Sequence, residues 1–154
     1  GLILNSTDGT ANAGDDLLLE AGDGLGTPNI TDVRFITSAP AGGSSKTVTV
    51  EVTWDEGITV AGSPQVTVAN NNAGSGSGRA CVLTYSATGS SANRKRFTAT
   101  NITVAEDDVL SVGAATGSLA LNSGTLSDTE MGGTAVPAFL SLTDTSAVTQ
   151  TVTG

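Results

Sequence analysis

The most regular stretch of the chain runs from Lys46 to Trp54, where Val48, Val50, Val52 and Trp54 alternate with Thr47, Thr49, Glu51 and Thr53. Successive side chains of a strand point to opposite faces. The valines and the tryptophan are therefore expected in the core and the polar set in water. Asp55-Glu56-Gly57 reads as a turn and Ile58 to Val60 as a short continuation. Ala61-Gly62-Ser63-Pro64 is a second turn signal, ahead of Val66 and Val68 alternating with Gln65 and Thr67. Asn70 to Gly78 is rich in Gly, Ser and Asn without apolar periodicity and reads as a loop. Cys81, Leu83 and Tyr85 share one face of a further expected strand. Arg94 to Thr100 is another, with Phe97 and Ala99 inward. Val109 to Ala114, Leu119 to Leu121 and Ala138 to Leu142 are predicted strands as well. Ala147 to Thr153 reads as an edge strand and Arg34 to Thr37 as the first strand of the body.

Many short strands divided by turn signals, with no helical period, predict an all-β sandwich or barrel. A length of 154 residues suits about one domain with a sizeable core. Only 3% of residues are aromatic, so aliphatic side chains must fill that core around Phe35, Trp54, Tyr85, Phe97 and Phe139. The single cysteine, Cys81, has no intrachain partner for a disulfide and is expected as a small buried hydrophobe. No apolar run approaches the length that spans a bilayer, and no membrane partner is expected.

Residues 1–28 have a different texture. Leu2-Ile3-Leu4 and Leu17-Leu18-Leu19 are short apolar runs set among Asn, Ser, Asp and Gly. Such a segment cannot bury enough surface to order itself alone. It reads either as an arm that docks on a neighbour or as accessory strands of the body, which occupies residues 29–154.

Charge narrows the choice of partners. The formal net charge of −9 argues against nucleic acid, because phosphate binding needs Lys and Arg. Residues 1–33 carry Asp8, Asp15, Asp16, Glu20, Asp23 and Asp32 and no base, while Arg94-Lys95-Arg96 is the only basic cluster. Such asymmetry can orient a protein on a partner; a solvated loop is the plainer reading of three adjacent bases. The candidate partner-binding residues are thus Leu2, Ile3, Leu4, Leu17, Leu18, Leu19, Arg94, Lys95 and Arg96.

Candidate chemistry is thin. The chain has no histidine, which removes the commonest general base and zinc ligand. With one cysteine, neither a Cys-His nor a Ser-His arrangement is possible, and no enzyme activity is expected. The neighbouring acids Asp55 and Glu56, and Glu106, Asp107 and Asp108, read as turn residues that solvate loops. The Gly74–Gly78 run lacks the lysine of a phosphate-binding loop. Calcium is the one metal worth weighing, through Asp15, Asp16, Glu20 and Asp23 or through Glu106 to Asp108. Neither group has the spacing of an EF-hand, so no ligand and no cofactor is assigned. Asn5-Ser6-Thr7, Asn29-Ile30-Thr31 and Asn101-Ile102-Thr103 match the glycosylation sequon, as chance matches do in a chain this rich in Asn, Ser and Thr.

Two stretches carry resemblances. Val50-Glu51-Val52-Thr53-Trp54-Asp55-Glu56-Gly57-Ile58-Thr59-Val60, then Gly62-Ser63-Pro64-Gln65-Val66-Thr67-Val68, Leu83-Thr84-Tyr85 and Leu119 to Asp128, resembles the bacterial immunoglobulin-like repeats of large surface proteins and adhesins. This resemblance implies an immunoglobulin-like β-sandwich, and Arg94 to Arg96 lies outside its usual pattern. Leu2-Ile3-Leu4-Asn5-Ser6-Thr7-Asp8-Gly9-Thr10 with Asn12-Ala13-Gly14-Asp15-Asp16-Leu17-Leu18-Leu19-Glu20 is similar to a phrase recurring in structural proteins of tailed phages. Together they imply a virion protein, foremost a capsid decoration protein on the outer surface, with the major capsid protein, other virion proteins or further copies of itself as partners. An immunoglobulin-like module of a bacterial adhesin or extracellular filament, or a tail or fibre component, is the alternative. The first location is the virion surface and the second extracellular or at the cell surface.

Overall fold

A computed structural model of the chain describes residues 27–74, 80–117, 119–129, 135–138, 140–143 and 145–154. Among these residues ten strands form: β1 (Ile30–Phe35), β2 (Gly43–Trp54), β3 (Thr59–Ala61), β4 (Gln65–Asn70), β5 (Cys81–Ser86), β6 (Arg94–Val104), β7 (Val109–Val112), β8 (Thr125–Thr129), β9 (Ala135–Pro137) and β10 (Val148–Thr151). One 3-10 turn, Ala114–Thr116, follows β7. The fold is all-β, as the strand pattern predicts.

Seven strands make one antiparallel sheet in the order β1-β2-β6-β5-β4-β7-β10, and β3-β8-β9 form a smaller one. Strand β4 joins the two halves of the large sheet. It pairs with β5 through residues 65–68 and with β7 through Ala69 and Asn70. The large sheet curls until its margins meet. Gly42 N–H donates to the Thr153 carbonyl at 2.8 Å, Thr153 N–H to the Pro40 carbonyl at 3.1 Å, and Gln150 Nε2 to the Thr37 carbonyl at 2.6 Å. The body is therefore sandwich-like and close to a closed barrel.

Strands β2 and β6 are the longest and lie side by side. Val48, Val50, Val52 and Trp54 are all fully buried on one face, as their alternation predicts, and Val50 lies opposite Phe97. Phe97 meets Tyr85 edge-on, with ring centroids 6.2 Å apart at 67°, the geometry aromatic quadrupoles favour. Cys81, Leu83, Val66, Val68, Leu110 and Val112 continue the same core, and Ile58, Leu119, Leu126 and Leu142 join it from outside the large sheet. Near its far end the β2–β6 ladder shifts register between Gly43 and Val48. Ser45 and Asn101 take positive φ there, a conformation asparagine tolerates better than most residues.

Several elements depart from the sequence pattern. The first strand begins at Ile30 rather than Arg34, because Ile30 to Phe35 pairs along β2. Asn70 belongs to β4 rather than to the following loop. Strand β7 stops at Val112, since Gly113 at φ 106° turns the chain into the 3-10 segment. Leu119 to Leu121 contributes only a bridge, in which Ala120 and Gln65 exchange N–H···O bonds of 2.7 and 2.9 Å. Ala138 and Leu142 are buried without being in a strand. Apolar content marks burial there, and scattered backbone bonds such as Leu142 N–H to the Gly117 carbonyl (2.8 Å) satisfy the main chain.

Trp54 is the sole tryptophan and fully buried. Its emission should be blue-shifted in the native protein and move to longer wavelength in urea. Trp54→Ala should lose about 3–5 kcal/mol of unfolding free energy, measured by urea titration followed by circular dichroism.

Candidate functional site

The alternation that buries the valines of β2 turns Glu51 to the opposite, outer face. The polar residues of this strand are expected in water, yet Glu51 is only 1% exposed. The cause is its cross-strand neighbours. In register, Arg34 of β1 lies on one side of Glu51 and Arg96 of β6 on the other, with Ser86 of β5 beyond. Arg34 donates to Glu51 Oε1 from Nε at 3.1 Å and from Nη2 at 2.6 Å. Arg96 donates from Nε to Oε2 at 3.1 Å. Arg94, two residues along β6 on the same face, brings Nη1 to 4.0 Å from Oε1, beyond hydrogen-bonding distance. Three guanidiniums thus surround one carboxylate and shield it from water.

Burial pushes the Glu51 carboxyl upward. The hydrogen bonds from Arg34 and Arg96, with the charges of Arg34 and Arg94, more than offset that push and hold it below the ordinary glutamate range. The guanidiniums themselves face solvent: the side chains of Arg34 and Arg94 are 51% and 50% exposed and that of Arg96 33%. Arg96 is also fixed from behind. Its N–H donates to Ser90 Oγ at 2.9 Å, and its guanidinium lies against Gly89 at φ 76°, where a Cβ would collide with it. The neighbouring outer row is uncharged, with Thr49 and Thr98 hydroxyls 3.0 Å apart.

The three adjacent bases therefore do not form a loop. They open strand β6, and its period of two separates them. Arg94 and Arg96 join the outer cluster, whereas Lys95 points the other way and is 7% exposed. Its Nζ donates to the Ser91 carbonyl at 2.7 Å, and burial holds its pKa below the ordinary lysine value. Arg34 was not a sequence candidate. Only the pairing of β1 with β2 brings it beside Glu51. Leu2, Ile3, Leu4, Leu17, Leu18 and Leu19 lie outside the described residues.

The acids weighed for calcium separate in a similar way. Glu106 and Asp107 are exposed, while Asp108 is fully buried rather than solvating its turn. Its Oδ2 accepts from Asn70 Nδ2 at 3.0 Å and from Ala105 N–H at 2.9 Å, and its Oδ1 accepts from Gly74 N–H at 3.0 Å. This carboxylate ties the β6–β7 turn to the end of β4. Among the described residues no three His, Cys, Asp or Glu side chains gather in a metal-binding group. Asp15, Asp16, Glu20 and Asp23 lie outside the described residues. Cys81 is buried, and burial first, then the charge of Asp108, raises its thiol pKa.

Scans against protein-family models, curated proteins and solved structures find no match to this chain.

Two outcomes follow from these carboxylates. Glu51→Gln should lower stability by about 2 kcal/mol at neutral pH by weakening charged hydrogen bonds to a buried group. Because the folded pKa of Glu51 is depressed, its contribution is complete above the unfolded value and vanishes as pH falls through the folded one. The gap between wild type and Glu51→Gln in urea midpoints should accordingly close in acid. Asp108→Ala, which leaves two backbone N–H groups without their acceptor, should cost about 2–4 kcal/mol and lower the melting temperature measured by calorimetry.

Proposed function

We propose that this chain is a non-enzymatic structural protein of a virion, most specifically a decoration protein that binds the outer capsid surface of a tailed phage. The observation that carries the reading is the outer face of β1, β2 and β6. Arg34 and Arg96 are held there by hydrogen bonds to a buried carboxylate, Arg94 stands beside them, and about half of the Arg34 and Arg94 side chains remains open to a partner. Guanidiniums fixed in this way have less conformational freedom to lose on binding, which favours recognition of another protein surface. Likeness of residues 2–20 to tailed-phage structural proteins supplies the virion context, and likeness of residues 50–68 to bacterial immunoglobulin-like repeats supplies the module.

In this reading the body from residue 29 onward is a rigid head. Residues 1–28 are the arm, with Leu2, Ile3, Leu4, Leu17, Leu18 and Leu19 contacting the capsid or a sister subunit by strand addition. Repetition on a symmetric lattice then turns modest single contacts into high avidity. The major capsid protein or another virion protein is the partner, without nucleic acid, membrane or cofactor. The resemblance over residues 50–68 also supports a second reading, an immunoglobulin-like module of an adhesin or extracellular filament. A reading frame encoding tandem copies of this body would favour it.

Deleting residues 1–28 should abolish co-sedimentation with native capsids while leaving the far-ultraviolet circular dichroism and the Trp54 emission of the body intact. Full binding by a folded truncated protein would overturn the arm. Electron microscopy of native particles should show density for this chain following the capsid lattice.

A further inference from the structure

We propose that the Arg34, Arg94 and Arg96 surface docks a carboxylate-rich polypeptide, and that its occupant is the acidic stretch at residues 8–23 of a second copy of this chain. Three observations point there. The first is a mismatch of charge. Three guanidiniums meet one buried carboxylate, and the exposed Asp32 adds a further negative charge near Arg34.

The second is unused donor capacity. A guanidinium carries five N–H donors. Arg34 directs Nε and Nη2 to Glu51 and Arg96 directs Nε alone, while the Arg94 guanidinium makes no hydrogen bond among the described residues. Planar N–H pairs of this kind match a carboxylate with two parallel bonds. Glu51 acts here as a positioning residue. It fixes Arg34 and Arg96 and leaves Arg94 to reach outward.

The third is complementarity within the chain itself. Residues 8–23 carry Asp8, Asp15, Asp16, Glu20 and Asp23, and no base occurs before Arg34. Outside residues 8–23 the chain still carries ten acids against six bases, so a long polyanion such as nucleic acid is repelled by the remainder of the surface. A short acidic segment meets only the basic patch. The same arrangement makes head-to-tail contacts between copies, in which one surface of each subunit meets a different surface of the next.

The test is sedimentation of the full chain at low and at high salt, without any capsid, so its outcome is separable from that of the virion reading. Wild type should self-associate with rising concentration in low salt and revert toward monomer in high salt. Arg94→Gln, which leaves the bonds of Glu51 intact, should weaken association at least threefold, and Arg34→Gln with Arg94→Gln at least tenfold. Folding of each variant is checked by Trp54 emission. A charge swap supplies the second arm. A chain with Arg34→Glu and Arg94→Glu, and a chain with Asp15→Lys, Asp16→Lys and Glu20→Lys, should each stay monomeric alone and associate when mixed.

Wild type that stays monomeric at every concentration in low salt would overturn the proposal, including the case in which the stretch folds back on its own patch. So would association that the arginine substitutions leave unchanged, or a swapped pair that fails to associate on mixing.

Discussion

The pairing of β2 with β6 is the interaction on which the rest of the molecule depends. These are the two longest strands, and each serves both faces of the sheet at once. Val48, Val50, Val52 and Trp54 of β2 meet Phe97 of β6 on the inside. Glu51 meets Arg96 on the outside, at the very next position. A slip of one residue would turn the valines to solvent and the carboxylate into the core, so both faces enforce the same register. The cluster and the core thus act on the same alignment. A buried charge adds little net stability beside an apolar core, but an unpaired one costs several kcal/mol and disfavours the wrong alignment.

The apolar half of this architecture was legible in the sequence. Period-two alternation located the β2 core residues, the inward Phe97, the inward pair Cys81 and Leu83, and the edge strand near the end of the chain. It succeeded where a strand has one wet face, because hydrophobicity then follows the pleat. It failed at Leu119 to Leu121 and Ala138 to Leu142, where buried apolar side chains hang from irregular backbone. A local pattern reports burial, and strand identity needs a partner strand.

The outer site was less legible for a related reason. Glu51 looks like any solvent-facing residue of a half-buried strand, and Arg34 like any charge near the beginning of one. Their association rests on pairings between β1, β2 and β6, separated by 17 and 45 residues along the chain. Arg94-Lys95-Arg96 was visible as a cluster, but alternation along β6 splits it between two faces. Asp108 likewise reads as a solvated turn residue, because its hydrogen-bonding partner Asn70 lies 38 residues away. Charge in this protein takes its meaning from tertiary neighbours.

The tie between residues 37–42 and residues 150–153 has a consequence for how the chain reaches its native state. Gln150 bonds to Thr37 across 113 residues of sequence. The two margins of the large sheet therefore cannot meet until nearly the whole body has left the ribosome. Before then β1 and β2 stand with an open flank, and loop closure over that span must precede any gain from the contact. Non-local pairings of this kind slow folding. Its period of greatest exposure to wrong strand partners is the interval just before β10 arrives.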